Sequence, residues 1–388
     1  MRIAVIGAGP AGLYFSYLIK RRRPDIDISV YEQNPADATF GFGVVFSDRA
    51  LDFLRGDDPE TYDLITPRME AWTDLQLDIE GTKIRLDGIG FSAIGRLDLL
   101  RILQQQARTA GVELLFEHQI DALRDLGACD LIVAADGAGS TIRTAQQDAF
   151  ATSIKILSNK FVWYGTDKPF ETLTQTFRRN NDGVFNAHHY RYTPDMSTFI
   201  VETDAASWDR AGFAAMDEDA ARIYCEAVFA DTLDGHKLIS NKSVWRDYLK
   251  VSNERWSAGN IVLVGDALRT AHFSIGSGTR LAMEDAISLD RALDRALDRA
   301  LDRALEKGGG DIPAALADYE AMRRPVVDKL VAAADASALW YEQFGAHMDL
   351  DPWDMAWSYI QRSGRISVER LAKISPAFVE RYQAARGE

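Results

Sequence analysis

A glycine-rich segment near the N-terminus has the residue types and spacing needed to hold a pyrophosphate. Residues 7–12 read GAGPAG, directly after the apolar run 3–6 and at the start of a stretch with helical composition. Glycines let the backbone turn tightly and approach the anion, and the free N–H groups of a helix N-terminus then face it. Glu32 follows Gly12 by 20 residues, after the next apolar run, where its carboxylate can accept ribose hydroxyls. This spacing predicts a dinucleotide site.

Two further segments join an apolar run to an aspartate and a glycine. Residues 130–143 read DLIVAADGAGSTIR, with Asp136 after the run, and residues 261–285 read IVLVGDALRTAHFSIGSGTRLAMED, with Asp266 after it. In the second segment, a glycine pair at 276 and 278 opens another helical stretch. A single glycine-rich turn with an acid fits NAD and FAD alike, so these two segments carry the distinction between the cofactors.

The elements that must position these residues alternate between short apolar strands and helices, as in a doubly wound sheet. In chain order we expect a strand over 3–6, a helix over about 11–20, a strand over 28–31, a glycine-spaced loop over 41–45, a helix over 97–110, a strand over 131–135, aromatic alternating strands over about 159–203, a strand over 261–264 and helices from about 325 onwards. The aromatic runs predict a mostly antiparallel sheet.

Nucleotide-type strands therefore flank a β-rich block, which indicates two interleaved domains. We expect an α/β fold, in which a Rossmann-like domain is interleaved with a β-sheet substrate domain and followed by a helical C-terminal tail. The expected boundaries are 1–65, 91–158 and 251–330 for the Rossmann-like domain, 66–90 and 159–250 for the substrate domain, and 331–388 for the tail.

Residues 288–306 contain the unit LDRA repeated four times. A period of four makes the leucine stripe drift around a helix of 3.6 residues per turn. Arg291 can pair with Asp294 at i,i+3, but like charges recur at i,i+4, so the net gain is small. We expect a solvated helix without chemistry, ended by the GGGD sequence at 308–311.

Composition narrows the class of partner. The net charge is −14, which disfavours nucleic acid because duplex binding requires arginine and lysine to neutralise phosphates. Cys129 and Cys225 have no metal-ligand or disulfide spacing, so no metal is expected. No apolar run reaches the roughly 18 residues of a membrane span. We expect a cytoplasmic protein, monomeric or homodimeric, that binds neither nucleic acid nor membrane.

The segments at 7–12, 130–143 and 261–285 are called the first, second and third fingerprints below. With these fingerprints in this order, nearly the whole chain resembles the para-hydroxybenzoate hydroxylase type of flavin monooxygenase. The resemblance implies that Asp266 holds the ribityl chain of FAD, and that the helix from near Gly276 points its N-terminus at the flavin pyrimidine. It implies pyrophosphate or NAD(P)H contacts near Asp136, and FAD contacts at Arg96 and beside the loop at Gly43. The sequence departs from the family pattern at 269 and 273, where arginine and phenylalanine replace the usual histidine and proline.

The motifs and the resemblance together predict one set of cofactor contacts. These are Gly7, Gly9, Pro10, Ala11, Gly12, Glu32, Gly43, Val44, Arg96, Asp136, Asp266, Gly276 and Gly278.

A narrower resemblance concerns the substrate. The segments FGFGVVFSDRAL, GFSAIGRLDLLRIL, MSTFIVETD, AHFSIGSGTRLAMEDAI and RSGRIS are similar to salicylyl-CoA 5-hydroxylases and aminobenzoyl-CoA monooxygenases. FVWYGT, MSTFIVE and HFSIG also resemble a hydroxylase of the tryptophan-derived violacein pathway. Both kinds of enzyme act on aromatic rings attached to something large, which implies a roomy cleft.

These resemblances imply a ring hydroxylase that consumes NADH or NADPH and molecular oxygen, and transfers OH from a flavin hydroperoxide to salicylyl-CoA or a similar aroyl-CoA. A tailoring hydroxylase of a large indolic metabolite is a second hypothesis. An FAD-dependent reductase of the same fold is a third, since a fold does not fix a function. A non-catalytic nucleotide-binding module is disfavoured, because it needs no loop beside an isoalloxazine.

Two histidines are candidate catalytic residues. His272 lies in the loop between Asp266 and Gly276, which the resemblance places beside the flavin, and there it can polarise a substrate phenol. His188 lies on an expected strand, where it would face the same side as Tyr190. A structural histidine is the alternative for each. Arginines at 269 and 280, and for a CoA thioester those at 362 and 365, are candidate contacts of an anionic ligand, with a solvated surface as the alternative.

Overall fold

The structure, a computed structural model, describes residues 1–47, 50–304 and 311–387, and within them three β-sheets organise the chain. The strands are β1 (Arg2–Ile6), β2 (Asp27–Tyr31), β3 (Gly43–Ser47), β4 (Glu70–Trp72), β5 (Leu75–Ile79), β6 (Thr82–Leu86), β7 (Phe91–Gly95), β8 (Glu113–Leu115), β9 (Leu131–Ala134), β10 (Thr152–Thr166), β11 (Leu173–Asn180), β12 (Gly183–Thr193), β13 (Met196–Thr203), β14 (Leu238–Ile239), β15 (Arg246–Asn253), β16 (Ser257–Ala258) and β17 (Ile261–Leu263).

Helices cover these sheets and form the C-terminal region. They are α1 (Pro10–Arg22), α2 (Asp52–Asp57), α3 (Pro59–Ile65), α4 (Arg96–Ala110), α5 (Thr141–Ala145), α6 (Gln147–Phe150), α7 (Ala205–Ala211), α8 (Glu218–Val228), α9 (Ala230–Leu233), α10 (Gly265–Leu268), α11 (Gly278–Ala304), α12 (Ile312–Tyr341), α13 (Phe344–His347), α14 (Pro352–Gln361), α15 (Val368–Ile374) and α16 (Pro376–Arg386).

The first sheet carries the glycine-rich turn. Its strand order is β16-β17-β9-β1-β2-β8, and every pair except β16–β17 is parallel. Strands β9 and β17 are buried throughout, as continuous apolar runs in parallel sheets require. Helix α1 begins with Pro10, a favoured first helical residue. Its residues 11–19 are all buried, because it packs between this sheet, α4 and α11.

The second sheet is antiparallel except for the pair β5–β11. Its order is β14-β10-β13-β12-β11-β5-β6, with β15 paired to β10. The register places His188 between Gln175 and Ile200, and Ile200 opposite Trp163. Residues directly opposite in a sheet point to the same side, so these four side chains share a face. Residues of the other parity pack against α7 and α8 in a separate apolar core.

The C-terminal helices pack against strands β5 and β6 of the second sheet. Trp340 and Tyr341 at the end of α12, with Tyr359 of α14, lie in a core shared with β5 and β6. Trp353 and Trp357 stack on Phe378 of α16, with ring centroids 6.1 Å apart in each case. The tryptophan-bearing tail therefore covers the substrate-side sheet.

The α/β fold class predicted from the sequence is confirmed, and the expected strands around 3–6, 28–31, 131–135 and 261–264 are present within one or two residues. The loop expected over 41–45 is wrong from Gly43 onwards, because β3 begins there and pairs with β7. The helix expected from about 325 begins at Ile312 and continues through Pro325. The division into domains stays a prediction, with its expected boundary at 330/331 falling inside α12.

The LDRA segment is not the solvated helix that we expected. Leu289, Ala292 and Leu293 are buried, because α11 packs against α1 and α12. Asp294 pairs at 2.8 Å with Arg23, the residue after α1, instead of with Arg291, so the aspartates of the repeat face the basic C-terminal end of α1. The expected GGGD end of the helix lies outside the described residues, apart from its final aspartate.

Asp285 of α11 joins three elements in the interior. It is fully buried and accepts hydrogen bonds from the Gly265 N–H at 3.0 Å, from Arg269 Nη1 at 2.7 Å and from Arg323 Nε at 2.9 Å. These bonds tie the end of β17 to α11 and α12. Breaking a buried ion pair by removing one partner leaves an uncompensated charge, which is far more costly than losing an exposed pair.

We expect Asp285→Ala to lower the free energy of unfolding by about 3–5 kcal/mol, because Arg269 and Arg323 would stay buried without this acceptor. Asp349→Ala, which removes the exposed pair with Arg179 at 2.7 Å, is the matched control and should change it by less than about 1 kcal/mol. Chemical denaturation at equal cofactor saturation measures both. Equal small losses would show that the buried network does not hold these elements together.

Candidate functional site

The GAGPAG turn lies between β1 and α1, at the carboxyl edge of the parallel sheet. Gly7 has φ +104°, and a Cβ there would lie 2.4 Å from the Ala135 carbonyl oxygen, so a side chain at this position would collide with the backbone after β9. A Cβ on Gly9 would meet nothing within 4 Å. The turn is therefore closed toward the protein and open at Gly9, where the first N–H groups of α1, at Ala11 and Gly12, have no intrahelical acceptor.

Glu32 follows β2 at the same edge. Its carboxylate accepts hydrogen bonds from the Ala8 N–H and the Asn34 N–H, both at 2.9 Å. A carboxylate has about four acceptor sites, so capacity remains for ribose hydroxyls. Glu32 thus holds the glycine turn in place and stays available to a nucleotide.

Asp136 caps the N-terminus of α5. Its Oδ2 accepts from the Thr141 N–H at 2.8 Å, while Oδ1 is buried without a hydrogen-bond partner among the described residues. Arg143 of α5 is buried and donates to the Ala267 carbonyl at 3.0 Å. The second fingerprint is therefore tied to the third through Arg143, a contact that the sequence did not predict.

Asp266 and Arg96 lie together in a recess. Asp266 is exposed, yet desolvation by the surrounding protein raises its pKa, against the opposing charges of Arg269 and Arg96. Desolvation likewise lowers the pKa of Arg96, against the charge of Asp266. An acid that water can reach but that the protein still desolvates lines a cleft. Arg96 begins α4, and its N–H donates to the Phe42 carbonyl at 2.8 Å.

The strand that begins at Gly43 is clamped between the two halves of the site. The Gly43 N–H donates to Thr198 Oγ1 at 2.8 Å, and its carbonyl accepts from the Tyr190 hydroxyl at 3.0 Å. A Cβ on Gly43 would lie 2.6 Å from Tyr192 Cβ, so only glycine permits this approach. Val44 is buried beside it. Tyr190 and Thr198 were not predicted as site residues, although Tyr190 shares strand parity with His188.

The glycine pair of the third fingerprint comes next to the same strand. Gly276 has φ +58° after a short 3-10 turn, and α11 begins at Gly278. A Cβ on Gly276 would lie 3.2 Å from Val45 Cγ1. The N-terminus of a long helix therefore lies beside β3, where its dipole favours an anion.

His272 is buried in the turn before α11. Its Nδ1 is 2.8 Å from Ser274 Oγ, which lies 2.8 Å from Ser337 Oγ of α12. Desolvation, reinforced by the positive charge of Arg362, lowers the pKa of His272 to about 3. His272 is therefore a neutral imidazole at physiological pH. It also lines a cavity of about 200 Å³ between β15 and α12, together with Tyr248.

His188 of β12 is buried, and neither ring nitrogen has a hydrogen-bond partner among the described residues. Desolvation, followed by the charge of Arg362, lowers its pKa to about 3. Its ring centroid lies 5.5 Å from that of Tyr190, whose hydroxyl donates to the Gly43 carbonyl of β3. Buried polar groups are nearly always satisfied, so a bare imidazole on this face indicates a position for a polar ligand or water.

Glu202 is a buried acid on the same face that the sequence did not identify. Its Oε1 accepts from Asn159 Nδ2 at 2.8 Å, and its Oε2 has no hydrogen-bond partner among the described residues. Desolvation raises the pKa of Glu202 to about 8, and the nearby Glu342 also raises it. The side chain is therefore mostly protonated at neutral pH.

The candidate arginines differ in their surroundings. Arg269 is buried and bonded to Asp285 at 2.7 Å, so the prediction that it meets an anionic ligand is wrong. Arg280 pairs with Glu284 at 2.7 Å. Arg362 donates to the Ser274 carbonyl at 3.0 Å, and Arg365 is exposed nearby in the chain.

Within the described residues, no group of three or more His, Cys, Asp or Glu side chains is arranged to hold a metal ion. No described helix has the length and apolar character needed to cross a membrane.

Comparisons with known proteins agree with this geometry. Residues 1–334 match the family model of the FAD binding domain. Salicyloyl-CoA 5-hydroxylase of a Streptomyces species is 39% identical over 98% of this chain and 73% of its own length. A 3-hydroxy-4-methyl-anthranilyl-(aryl-carrier protein) 5-monooxygenase of Streptosporangium sibiricum is 36% identical over 96% of this chain and 97% of its own.

A solved structure of a mutant 2-methyl-3-hydroxypyridine-5-carboxylic acid oxygenase shares the fold. It superposes with a TM-score of 0.69 at 17% identity and covers 96% of each chain. The chain belongs to the FAD binding domain family, and it is an FAD-dependent aromatic monooxygenase.

We expect Asp266→Ala to fold normally but to bind FAD about 10- to 100-fold more weakly, because a hydrogen bond to a charged group contributes about 1.5–3 kcal/mol. Asp63→Ala, an exposed change on α3, is the matched control. Titration of the apoprotein with FAD, alongside circular dichroism, measures affinity and folding. An Asp266→Ala protein with parental FAD affinity would remove this carboxylate from the cofactor site.

Glu202→Gln should change the pH dependence of stability. The pKa of Glu202 is raised in the folded protein from 4.5 to about 8. As the pH rises from about 5 to about 8, the unfolded chain therefore releases this proton while the folded protein keeps it, and the parent loses stability. The variant has no such proton. Its free energy of unfolding should therefore rise relative to that of the parent by a few kcal/mol over this interval, at about 1.4 kcal/mol per pKa unit. A constant difference in unfolding free energy from pH 5 to pH 8 would contradict the raised pKa.

Proposed function

We propose that this protein hydroxylates the aromatic ring of salicylyl-CoA or a similar aroyl-CoA, consuming NADH or NADPH and molecular oxygen. The observation that carries the proposal is the buried imidazole of His188, which has no hydrogen-bond partner among the described residues and lies on the sheet face that holds the Gly43 strand. The 39% identity to a salicyloyl-CoA 5-hydroxylase supports the choice of substrate.

The residues at the carboxyl edge of the parallel sheet fit FAD. The open turn at Gly9 and the start of α1 suit the pyrophosphate, Glu32 suits the adenosine ribose, and Asp266 beside Arg96 suits the ribityl chain. The Gly43 strand and the N-terminus of α11 would flank the isoalloxazine. FAD, once bound, supplies the hydride acceptance and the oxygen activation that amino-acid side chains cannot.

The protein's own part is to bind and orient the ring and to exclude water. The two neutral histidines suit this work. Nδ1 of His272 is held by Ser274, so its Nε2 is the nitrogen left to form a hydrogen bond with a substrate phenol. Neither nitrogen of His188 has a partner among the described residues, so this side chain can donate to a carbonyl or accept from a hydroxyl.

The aromatic surroundings limit the access of water. The His272 ring lies 4.3 Å from Phe273 and 4.8 Å from Tyr248, measured between centroids. A dry site strengthens each hydrogen bond to the substrate and protects reactive oxygen species from solvent. Histidines in such a site stay neutral, so neither should titrate between pH 5 and pH 8, in keeping with the lowered pKa of each.

The monomeric or homodimeric state and the cytoplasmic location stay predictions, as does the choice between NADH and NADPH.

Salicylyl-CoA should stimulate NAD(P)H oxidation by the FAD-loaded protein and yield a hydroxylated thioester, whereas free salicylate should give little product. Product identification by mass spectrometry, with oxygen and without it, is the measurement. Product formed only with the thioester and only with oxygen supports the proposal. A thioester reduced without oxygen would favour the reductase, and no response to either compound would move the proposal to a large indolic substrate.

A further inference from the structure

Buried polar atoms without a hydrogen-bond partner gather on one face of the eight-stranded sheet. Within the described residues, no partner is found for either ring nitrogen of His188, for Oε2 of Glu202 or for Nε1 of Trp163. The register places His188 and Trp163 opposite Ile200. Glu202 follows Ile200 by two residues on β13, so its side chain points to the same face. Because buried polar groups are nearly always paired, this concentration of unpaired atoms indicates the place of a polar ligand.

This face has a defined direction relative to β3. At one end, the Tyr190 hydroxyl donates to the Gly43 carbonyl at 3.0 Å, and Thr198 Oγ1 accepts from the Gly43 N–H at 2.8 Å. Glu202 follows Thr198 by four residues on β13, which at about 3.4 Å per residue places it about 14 Å further along the strand. The proposed position of the isoalloxazine beside β3 is therefore at one end of the face, and Glu202 is at the other.

The turn that carries His272 approaches the Glu202 end. Phe161 lies opposite Glu202 in the register, and its ring centroid is 5.2 Å from that of Phe273. The ring of His272 stacks on Phe273 with 4.3 Å between centroids. His272 and Glu202 thus reach the same end of the face, one from the turn before α11 and the other from the sheet.

The carboxyl group of Glu202 is held through one oxygen. Its Oε1 accepts from Asn159 Nδ2 at 2.8 Å, and the same nitrogen donates to the Tyr341 carbonyl at 2.8 Å. The Asn159 N–H donates to Glu342 Oε1 at 2.9 Å, so this amide is itself anchored. Burial raises the pKa of Glu202 to about 8, so the group can donate a hydrogen bond from Oε2 without bringing a charge into the site.

We propose that Glu202 is a substrate-binding residue that holds the ring hydroxyl of the aroyl group at the end of the sheet face away from β3. This inference rests on the proposed function and deepens it by naming the side chain that recognises the substituent of the ring. A phenol both donates and accepts, so it can accept from Glu202 and donate to Nε2 of His272. The ring itself would lie over His188 and Ile200, where His188 is left for the thioester carbonyl.

This orientation decides which carbon is hydroxylated. With the hydroxyl at the Glu202 end, the ring carbon that points back toward β3 is the carbon para to it, which the phenol oxygen also activates toward an electrophilic oxygen. In the net reaction the C–H bond of this carbon becomes C–OH with one atom of dioxygen. The other atom leaves as water, and NAD(P)H supplies the two electrons.

The test uses two variants of Glu202 and one control. Glu202→Leu removes the hydrogen-bonding group at similar size, whereas Glu202→Gln keeps a neutral donor at this position. Glu226→Gln changes another buried glutamate, which pairs with Arg222 on α8. Titration calorimetry on the FAD-loaded proteins, without NAD(P)H, compares salicylyl-CoA with benzoyl-CoA, which lacks the ring hydroxyl. Products formed with NAD(P)H and oxygen are identified against the positional isomers of the dihydroxybenzoyl thioester.

The parent should bind salicylyl-CoA more tightly than benzoyl-CoA, and Glu202→Leu should reduce this preference about tenfold, as expected for the loss of one hydrogen bond to the ligand. The Kd for benzoyl-CoA should stay unchanged. Glu202→Gln should largely restore the preference, and Glu226→Gln should behave as the parent. The parent product should have its new hydroxyl para to the first, and Glu202→Leu should give a mixture of isomers.

A purely structural role for Glu202 would weaken the binding of both thioesters alike, and that result would overturn the proposal. An unchanged preference in Glu202→Leu would overturn it too, while leaving the proposed function intact. A parent product hydroxylated ortho to the first hydroxyl would contradict the orientation of the ring. Bound FAD absorbance and circular dichroism report folding, and Glu202→Ala takes the place of the leucine variant if that protein does not fold.

If the parent hydroxylates none of the thioesters, the proposed function fails. Calorimetry with salicylamide and benzamide then decides separately whether Glu202 recognises a ring hydroxyl. A preference for salicylamide that is lost in Glu202→Leu would support this role, and equal binding of the two amides by the parent would overturn it.

Discussion

Asp285 is a fully buried carboxylate on which three separate parts of the site depend. It accepts the N–H of Gly265, which fixes the turn that presents Asp266, and it binds arginines from the following turn and from α12. One buried carboxylate on α11 thus joins the turn at Gly265, the turn at Arg269 and α12. A buried ion network is not in itself a strong source of stability, but it penalises every arrangement that leaves one of its charges unpaired. Here that penalty holds the turn at Gly265 in place against α11 and α12.

The second constraint is the contact between β3 and the eight-stranded sheet. Strand β3 belongs to neither of the two larger sheets, yet its first residue, Gly43, is bonded by Thr198 and Tyr190 of the eight-stranded sheet. Gly276, which precedes the first residue of α11 by two positions, lies next to Val45 of the same strand. A Cβ on Gly43 would lie 2.6 Å from Tyr192 Cβ and one on Gly276 would lie 3.2 Å from Val45 Cγ1, so glycine permits a close approach at both positions. The candidate FAD site beside β3 is thereby bounded by strands and a helix terminus.

The substrate side is organised by desolvation. His188, His272 and Glu202 are all buried, and burial moves each toward its neutral form: the pKa of each histidine is lowered and that of Glu202 is raised. A face built in this way presents hydrogen-bonding groups without net charge. Under the proposed function, such a surface suits a neutral aromatic ring with phenol and carbonyl groups.

The sequence by itself determined the cofactor half of the protein. The glycine spacing, Glu32 and Asp266 each depend on a local pattern of strand, turn and helix, and such patterns are encoded by neighbouring residues. The order of the three fingerprints was enough to predict the α/β fold and FAD. Repeats and charges were less informative: the LDRA unit predicted a solvated helix, but α11 is half buried against α1, because its aspartates meet arginines more than 260 residues away in the chain.

Only the tertiary structure decided which distant groups meet. Arg269 was a candidate for an anionic ligand until Asp285 was found to neutralise it. Glu202, Tyr190 and Thr198 belong to no local motif, and their roles follow from pairing across strands. Arg143 ends the motif over 130–143, but its bond to the Ala267 carbonyl depends on a helix from another part of the chain. Burial is likewise a property of the whole fold, so the neutral state of His188 could not be deduced from its neighbours in sequence. Local spacing fixes a turn, whereas the charge and the partner of a buried side chain depend on everything packed around it.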